Sequence, residues 1–216
     1  MMKKWLLIFC TTGFLSANAQ ENDLGNWLIY FGNKKINNSW SWHHEVQHRN
    51  YNVIGDLEQL LLRTGIGYNI NKSNNLLLGY GFIDSRNHIN NSDEILKIKE
   101  HRIYQQFISL HTIGKISVQH RYRFEQRFVE NDFKVRYRYF LNLKAPILKN
   151  SDQYYVSVYN ELFINSKGDN IFDRNRLYGG IGYVLNSNMK VELGYMNQFF
   201  KTSGRDQINF ICFYNF

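Results

Sequence analysis

From residue 115 to residue 145 the chain swaps polar and apolar side chains at nearly every step. Tyr122, Phe124 and Phe128 share one parity with Gln126, while Arg121, Arg123, Glu125 and Arg127 share the other. After a polar break at residues 130–132 the order resumes. Phe133, Val135, Tyr137, Tyr139, Leu141 and Leu143 oppose Lys134, Arg136, Arg138, Asn142 and Lys144, and Phe140 is the exception on the polar side. Successive side chains of a strand point to opposite faces, so a period of two predicts strands with one apolar and one charged face. A helix would scatter the same charges around its circumference.

The period recurs along the chain, with strand-like segments near 26–32, 40–50, 58–70, 76–84, 98–111, 115–128, 133–145, 154–165, 174–185, 190–200 and 206–216. Most run to about 10 residues or more, beyond the ~5–6 usual in soluble proteins and suited to a tilted membrane-spanning strand of ~9–11. Short connections such as NKSNN and LNSNM alternate with longer ones such as DSRNHINNSDEILK and NSKGDNIFD. Short turns on one side and long loops on the other are the pattern of outer-membrane barrels. An internal repeat marks the hairpin as the unit: Gly65-Ile66-Gly67-Tyr68 precedes Gly79-Tyr80, and Gly180-Ile181-Gly182-Tyr183 precedes Gly194-Tyr195, with tyrosines twelve apart in both copies. The single proline, Pro146, is expected in a short connection, where it removes no ladder donor. The final strand alternates Ile208, Phe210, Cys212, Tyr214 and Phe216, resembling the terminal aromatic signal by which outer-membrane barrels are recognised for insertion.

The chain opens with Lys3 and Lys4, an apolar run from Trp5 to Leu15, and Ala17-Asn18-Ala19. These are the three parts of a secretory signal peptide, expected over residues 1–19. The run is too short for a spanning helix of ~20 residues. The mature domain, residues 20–216, then keeps one cysteine, Cys212, and can form no internal disulfide. Losing Lys3 and Lys4 lowers the formal charge from +8 to +6. Export argues against a nucleic-acid partner for that basic balance.

Composition adds 15 Tyr and 16 Phe without a helical transmembrane segment after residue 20. One environment suits both faces: hydrocarbon against the aromatic side, water and paired charges within. In a bilayer, only a helix or a closed barrel pairs every backbone polar group. An Arg facing the bilayer midplane costs ~2–4 kcal/mol, whereas one in the lumen can be hydrated or paired. The expected fold is therefore all-β: a single antiparallel up-and-down transmembrane barrel in the outer membrane. Its partners are outer-membrane lipid and lipopolysaccharide, and the barrel-assembly machinery during insertion. Eleven segments conflict with the even strand numbers of bacterial single-chain barrels. With short turns and Phe216 on the periplasmic side, residues 26–32 would begin on the wrong side, so ten wall strands are expected, with twelve as the alternative.

The segments WSWHHEVQHR, LEQLLLRTGIGYNI, EHRIYQQF, RYRFEQRF and DRNRLYGGIGY, taken together in this order, resemble the exported family called domain of unknown function 2490 over nearly the whole mature chain. The resemblance implies an outer-membrane-type barrel without an established activity, and carries over no catalytic or ligand residues.

Candidate chemistry lies on the polar face. Arg121, Arg123, Arg127, Arg136, Arg138 and Arg176 are the candidate anion-binding groups of the lumen, and Glu45, Glu125, Glu161 and Glu192 their acidic partners. Arg49, Arg63, Lys115, Lys134, Lys144 and Lys190 share the face, which makes twelve basic groups against four acidic ones. Rings of Arg and Lys favour anions. The alternative is a set of Arg–Glu bridges filling a narrow bore, since a barrel of ~8 strands is already filled by its own side chains and ten adds little room. A structural, binding or narrow anionic-solute role follows, with no cofactor or metal expected. Gly65, Gly67, Gly79, Gly81, Gly180, Gly182 and Gly194 point inward and read as sites of curvature or close backbone approach. His43, His44, Glu45 and His48 divide between two faces, too few on either for a tetrahedral metal site. Ser109 and His111 share a face and are the nearest candidates for an embedded lipid hydrolase, without an acid to orient the base. A soluble periplasmic β-barrel that binds a ligand is the competing fold.

Overall fold

A computed structural model describes residues 24–89, 94–168 and 171–216. The expected signal peptide lies outside the described residues. Eleven strands close into one barrel: β1 (Gly25–Lys35), β2 (Trp40–Asn50), β3 (Leu57–Asn69), β4 (Asn74–His88), β5 (Ile95–Ile113), β6 (Ile116–Val129), β7 (Asp132–Leu148), β8 (Ser151–Asn165), β9 (Phe172–Val184), β10 (Met189–Phe199) and β11 (Gly204–Asn215). Each expected segment is a wall strand. The count of ten, or twelve, is corrected to eleven.

The correction has a topological cause. When an odd number of strands runs up and down, the first and last point the same way, so closure requires one parallel pair. β1 pairs with β11 in parallel from Gly25↔Gln207 to Asn33↔Asn215, while the remaining neighbours are antiparallel. β1 does begin at the rim opposite Phe216, as the rejected count required. It is held there by burial: Trp27 and Ile29 point inward and pack with Tyr178, Met196 and Ile211.

The rim bearing the start of β1 is termed the N rim, and that bearing the end of β11 the C rim. Connections at residues 36–39, 70–73, 114–115, 149–150 and 185–188 lie at the C rim. Three repeat one device: Asn37, Asn71 and Asn186 each accept backbone N–H bonds from two and three residues ahead, at 2.9 Å. A short polar side chain thereby stands in for a backbone turn partner. At the N rim the described connecting residues are 51–56, 89, 94, 130–131, 166–168, 171 and 200–203. The first expected long loop is shortened at both ends, because β4 continues to His88 and β5 starts at Ile95, whereas the second keeps most of its length between Asn165 and Phe172. Pro146 is likewise inside β7, beside a register shift between Pro146 and Leu148, where its missing N–H is tolerated.

Alternation sorts the wall as expected. Every strand shows at least one large exposed apolar residue on its outer face, among them Leu28, Val46, Ile66, Leu78, Ile103, Tyr122, Tyr137, Val158, Ile181, Leu193 and Phe210. Outward polar groups within this belt find one another. Trp42 Nε1 donates to Thr64 Oγ1 at 2.8 Å, Tyr80 and His101 are 2.6 Å apart, and Asn160 and Asn175 exchange bonds of 2.7 and 3.1 Å. Asp84, Arg86, Lys97, Lys99 and Asp206 are outward charges placed near the N rim.

The tyrosines do not all face outward. Tyr104, Tyr155 and Tyr178 point inward and are buried. Each lies across inward glycines: Tyr104 over Gly79, Tyr155 over Gly182, and Tyr178 over Gly180 and Gly194, where an added methyl would overlap the ring. The glycine face of the repeat thus accommodates aromatic rings in a narrow bore, the close-approach reading of strand glycine.

Candidate functional site

The lumen combines an apolar cluster with a network of charges. All six arginines and four glutamates expected there point inward, and the structure joins them into chains. Glu125, fully buried, accepts from Arg136 at 2.6 and 3.0 Å and from Arg138 at 2.7 Å, with Arg123 at 3.7 Å. Arg138 also bonds Glu161, which takes Arg121 at 2.6 Å and lies 3.7 Å from Arg176. Glu45 pairs with Arg63 at 2.7 Å. Glu192 holds Lys144 and accepts from Tyr155 at 2.9 Å. Arg127 reaches Glu100 at 2.6 Å, and Arg102 bonds the same carboxylate.

Guanidiniums suit this packing because their planar forks satisfy carboxylates bidentately and their faces stack on rings. Arg121 lies over Phe140 at 4.2 Å from the ring centroid, Arg123 over Tyr104 at 4.6 Å, and Arg138 and Arg176 over Phe163 at 4.4 and 4.6 Å. Phe140, the aromatic out of pattern on its strand, serves as such a face.

Three lysines of the polar parity are not luminal. Lys134 and Lys190 are exposed near strand starts, where alternation outlasts the bore, and Lys115 is exposed in the 114–115 connection. Conversely, Arg102, Arg174, Arg205, Glu58, Glu100 and Asp173 belong to the interior network without having been singled out. Their signal was available: Glu100 and Arg102 share parity with Gln106, and Arg174 with Arg176. Tyr104 on that parity disguised the first pair, and position at a strand start disguised Arg174 and Arg205.

At the N rim the network opens into a cavity of about 240 Å³, whose wall, among the described residues, carries Arg49, Arg63, Arg102, Arg127, Arg136, Arg138, Arg174, Arg176 and Arg205 against Glu58 and Glu100. Arg121 and Arg123 lie outside this wall. Counting the barrel interior, eleven arginines and Lys144 face seven carboxylates (Glu45, Glu58, Glu100, Glu125, Glu161, Asp173, Glu192), a surplus of five positive charges among the described residues.

The other constellations come apart. His44 faces outward against Tyr30 at 3.1 Å, whereas His43 faces inward, 2.9 Å from Asn33 and 3.6 Å from Glu45. Ser109 and His111 point outward near the C rim, and the His111 ring stacks on His120 at 5.2 Å. Among the described residues neither is bonded to a carboxylate.

Comparison with known proteins concerns the barrel as a whole. A family described as protein of unknown function (DUF2490) matches residues 24–209. The chain is similar to an uncharacterized protein of Methylorubrum extorquens, 27% identical over 165 residues that cover 73% of this chain and 71% of that protein. No solved structure matches it.

Proposed function

This chain belongs to the DUF2490 family of proteins of unknown function, and from its geometry we propose that it is an outer-membrane barrel with a blocked lumen that binds an anionic solute at one mouth. The observation that carries the reading is the division of the wall, with an apolar belt on all eleven strands outside and a buried charge network inside. Large exposed apolar residues on every strand form a belt around the wall, whereas soluble monomers rarely expose contiguous apolar patches beyond a few hundred Å². The mutual pairing of Trp42 with Thr64, Tyr80 with His101 and Asn160 with Asn175 supports it, because polar groups facing hydrocarbon have no water to turn to.

The filled bore supports binding over passage. Tyr104, Tyr178, Phe163, Met196, Glu125 and Asn209 are all buried to 2% exposure or less, which leaves little room for a through-channel among the described residues. With Phe216 and the tight asparagine turns at the periplasmic face, the arginine cavity opens toward the cell exterior. Fractionation of cells expressing the full chain is expected to place it in the outer membrane, extractable only with detergent. Planar bilayers holding the purified barrel are expected to stay silent. A monomer stable in detergent-free buffer overturns the membrane assignment, and a steady single-channel conductance overturns the blocked lumen.

A further inference from the structure

We infer that the N-rim cavity is a binding site for a compact oxyanion dianion of the phosphomonoester class, held by Arg49, Arg63 and Arg176. The inference deepens the proposed function and rests on its reading that this mouth meets water.

The cavity arginines fall into two sets by their partners. Arg102 and Arg127 share Glu100, Arg136 and Arg138 share Glu125, and Arg205 takes Glu58 at 2.8 Å. Arg49 and Arg176 direct their short bonds to neutral amides instead. Arg49 donates to Gln47 Oε1 from Nε at 3.0 Å and from Nη2 at 2.5 Å, and to Gln59 Oε1 from Nη1 at 2.7 Å. Arg176 Nε donates to Gln198 Oε1 at 2.9 Å, and its carboxylate neighbour Glu161 stands off at 3.7 Å. Arg63 spends Nη1 on Glu45, yet its buried Nε has no acceptor among the described residues.

Trp27 holds two of these cations in place. The Arg49 guanidinium lies 3.7 Å from a Trp27 ring centroid and that of Arg176 lies 4.8 Å away. Stacking fixes the planes of both groups before any ligand arrives, so little rotamer freedom remains to be lost on binding. Buried like charges in excess of their counter-charges are costly, and the nine wall guanidiniums share six carboxylates among the described residues, Glu45, Glu58, Glu100, Glu125, Glu161 and Asp173, of which Glu58 and Glu100 reach the wall. A dianion with several terminal oxygens answers both the charge surplus and the directional donors. A halide offers charge without directed acceptors, and a carboxylate brings half the charge.

Volume bounds the ligand. About 240 Å³ lies below the ~300–1,000 Å³ of pockets for drug-sized ligands and equals roughly eight waters at ~30 Å³ each. A phosphate with a small substituent fits, while the rest of a larger ligand would project from the mouth. A free phosphomonoester and the phosphate of a lipid headgroup present the same chemistry.

The test uses the full mature barrel in neutral detergent at constant ionic strength. Calorimetric titration with inorganic phosphate and with glycerol 3-phosphate is expected to show saturable 1:1 binding that chloride and acetate do not reproduce. Arg49→Gln and Arg176→Gln are expected to weaken it at least tenfold, and Lys190→Gln at the opposite rim to leave it unchanged. A readout on the unaltered chain covers the case in which a variant fails to fold: phosphate is expected to slow phenylglyoxal modification of Arg49, Arg63 and Arg176, mapped by peptide mass spectrometry. Absence of saturable phosphate binding, or equal protection by chloride, overturns the proposal. Tighter uptake of glycerol 3-phosphate assigns a soluble source, and tighter uptake of phosphatidic acid from mixed micelles assigns a headgroup; each supports the site. Binding by a barrel that also conducts leaves the site standing and overturns only the blocked lumen.

Discussion

Glu125→Gln is the substitution that most directly probes what holds the lumen together. The carboxylate is wholly buried and accepts three bonds, at 2.6 and 3.0 Å from Arg136 and 2.7 Å from Arg138, with a third guanidinium at 3.7 Å. An amide preserves the shape and one acceptor oxygen, but turns an N–H₂ group toward donors that need acceptors. An amide that turns its N–H₂ toward Arg138 loses one charge-assisted bond, ~1.5–3 kcal/mol, and one that turns it toward Arg136 loses two, ~3–6 kcal/mol. Removing one partner of a buried ion pair costs ~3–5 kcal/mol by an independent route. The expected loss is therefore ~3–5 kcal/mol, a large share of the ~5–15 kcal/mol typical of a folded domain. The control is Asp132→Asn, which removes an exposed pair with Lys134 at 3.5 Å and should change stability by less than ~1 kcal/mol. Both variants would be unfolded in urea from detergent micelles, following tryptophan fluorescence and heat-modifiable migration, and compared through midpoint and slope. If Glu125→Gln proves as mild as Asp132→Asn, the interior is loosely hydrated and the network carries no stability.

Other outcomes test other parts of the molecule. Gly79→Ala sets a methyl into the Tyr104 ring and should destabilise by ~1–3 kcal/mol, whereas Gly179→Ala, which meets open space, should be neutral in the same urea assay. Leu193→Arg on the outer belt should cost ~2–4 kcal/mol if hydrocarbon covers it; a loss within ~0.5 kcal/mol, ordinary for a soluble surface, would refute membrane embedding. Tyr30→Cys faces Cys212 across the parallel seam, in a register that suits the usual ~4.4–6.8 Å Cα separation of a disulfide. Oxidation should therefore link the two ends of the barrel, as a mobility shift lost on reduction. A variant that stays reduced and reacts with maleimide at both thiols would remove β1 from the wall.

Much of the wall was legible because strand parity is local. Residues 121–143 declare which side chains share a face from their neighbours alone, and inward Arg121, Arg123, Glu125, Arg127, Arg136 and Arg138 follow without knowledge of any partner strand. The same logic located eleven segments and the outward stripe ending at Phe216. Parity also has blind spots. It marked Lys115, Lys134 and Lys190 as luminal, although alternation outlasts the bore, and it equated aromatic with outward, which hid Trp27, Tyr104 and Tyr178.

The sequence by itself determined the strands, their two faces and the basic character of the interior, since each depends on chemistry repeating every second residue. Tertiary structure decided how the barrel closes, and with it every contact across the bore. Arg121 meets Glu161, Lys144 meets Glu192 and Arg205 meets Glu58 only because closure and stagger bring distant strands face to face. The odd strand count is of the same kind: whether β1 joins the wall depends on Trp27 and Ile29 finding Tyr178, Met196 and Ile211 inside it. Trp27 then meets both Arg49 and Arg176, and this arrangement beside the closing seam shapes the arginine-lined cavity.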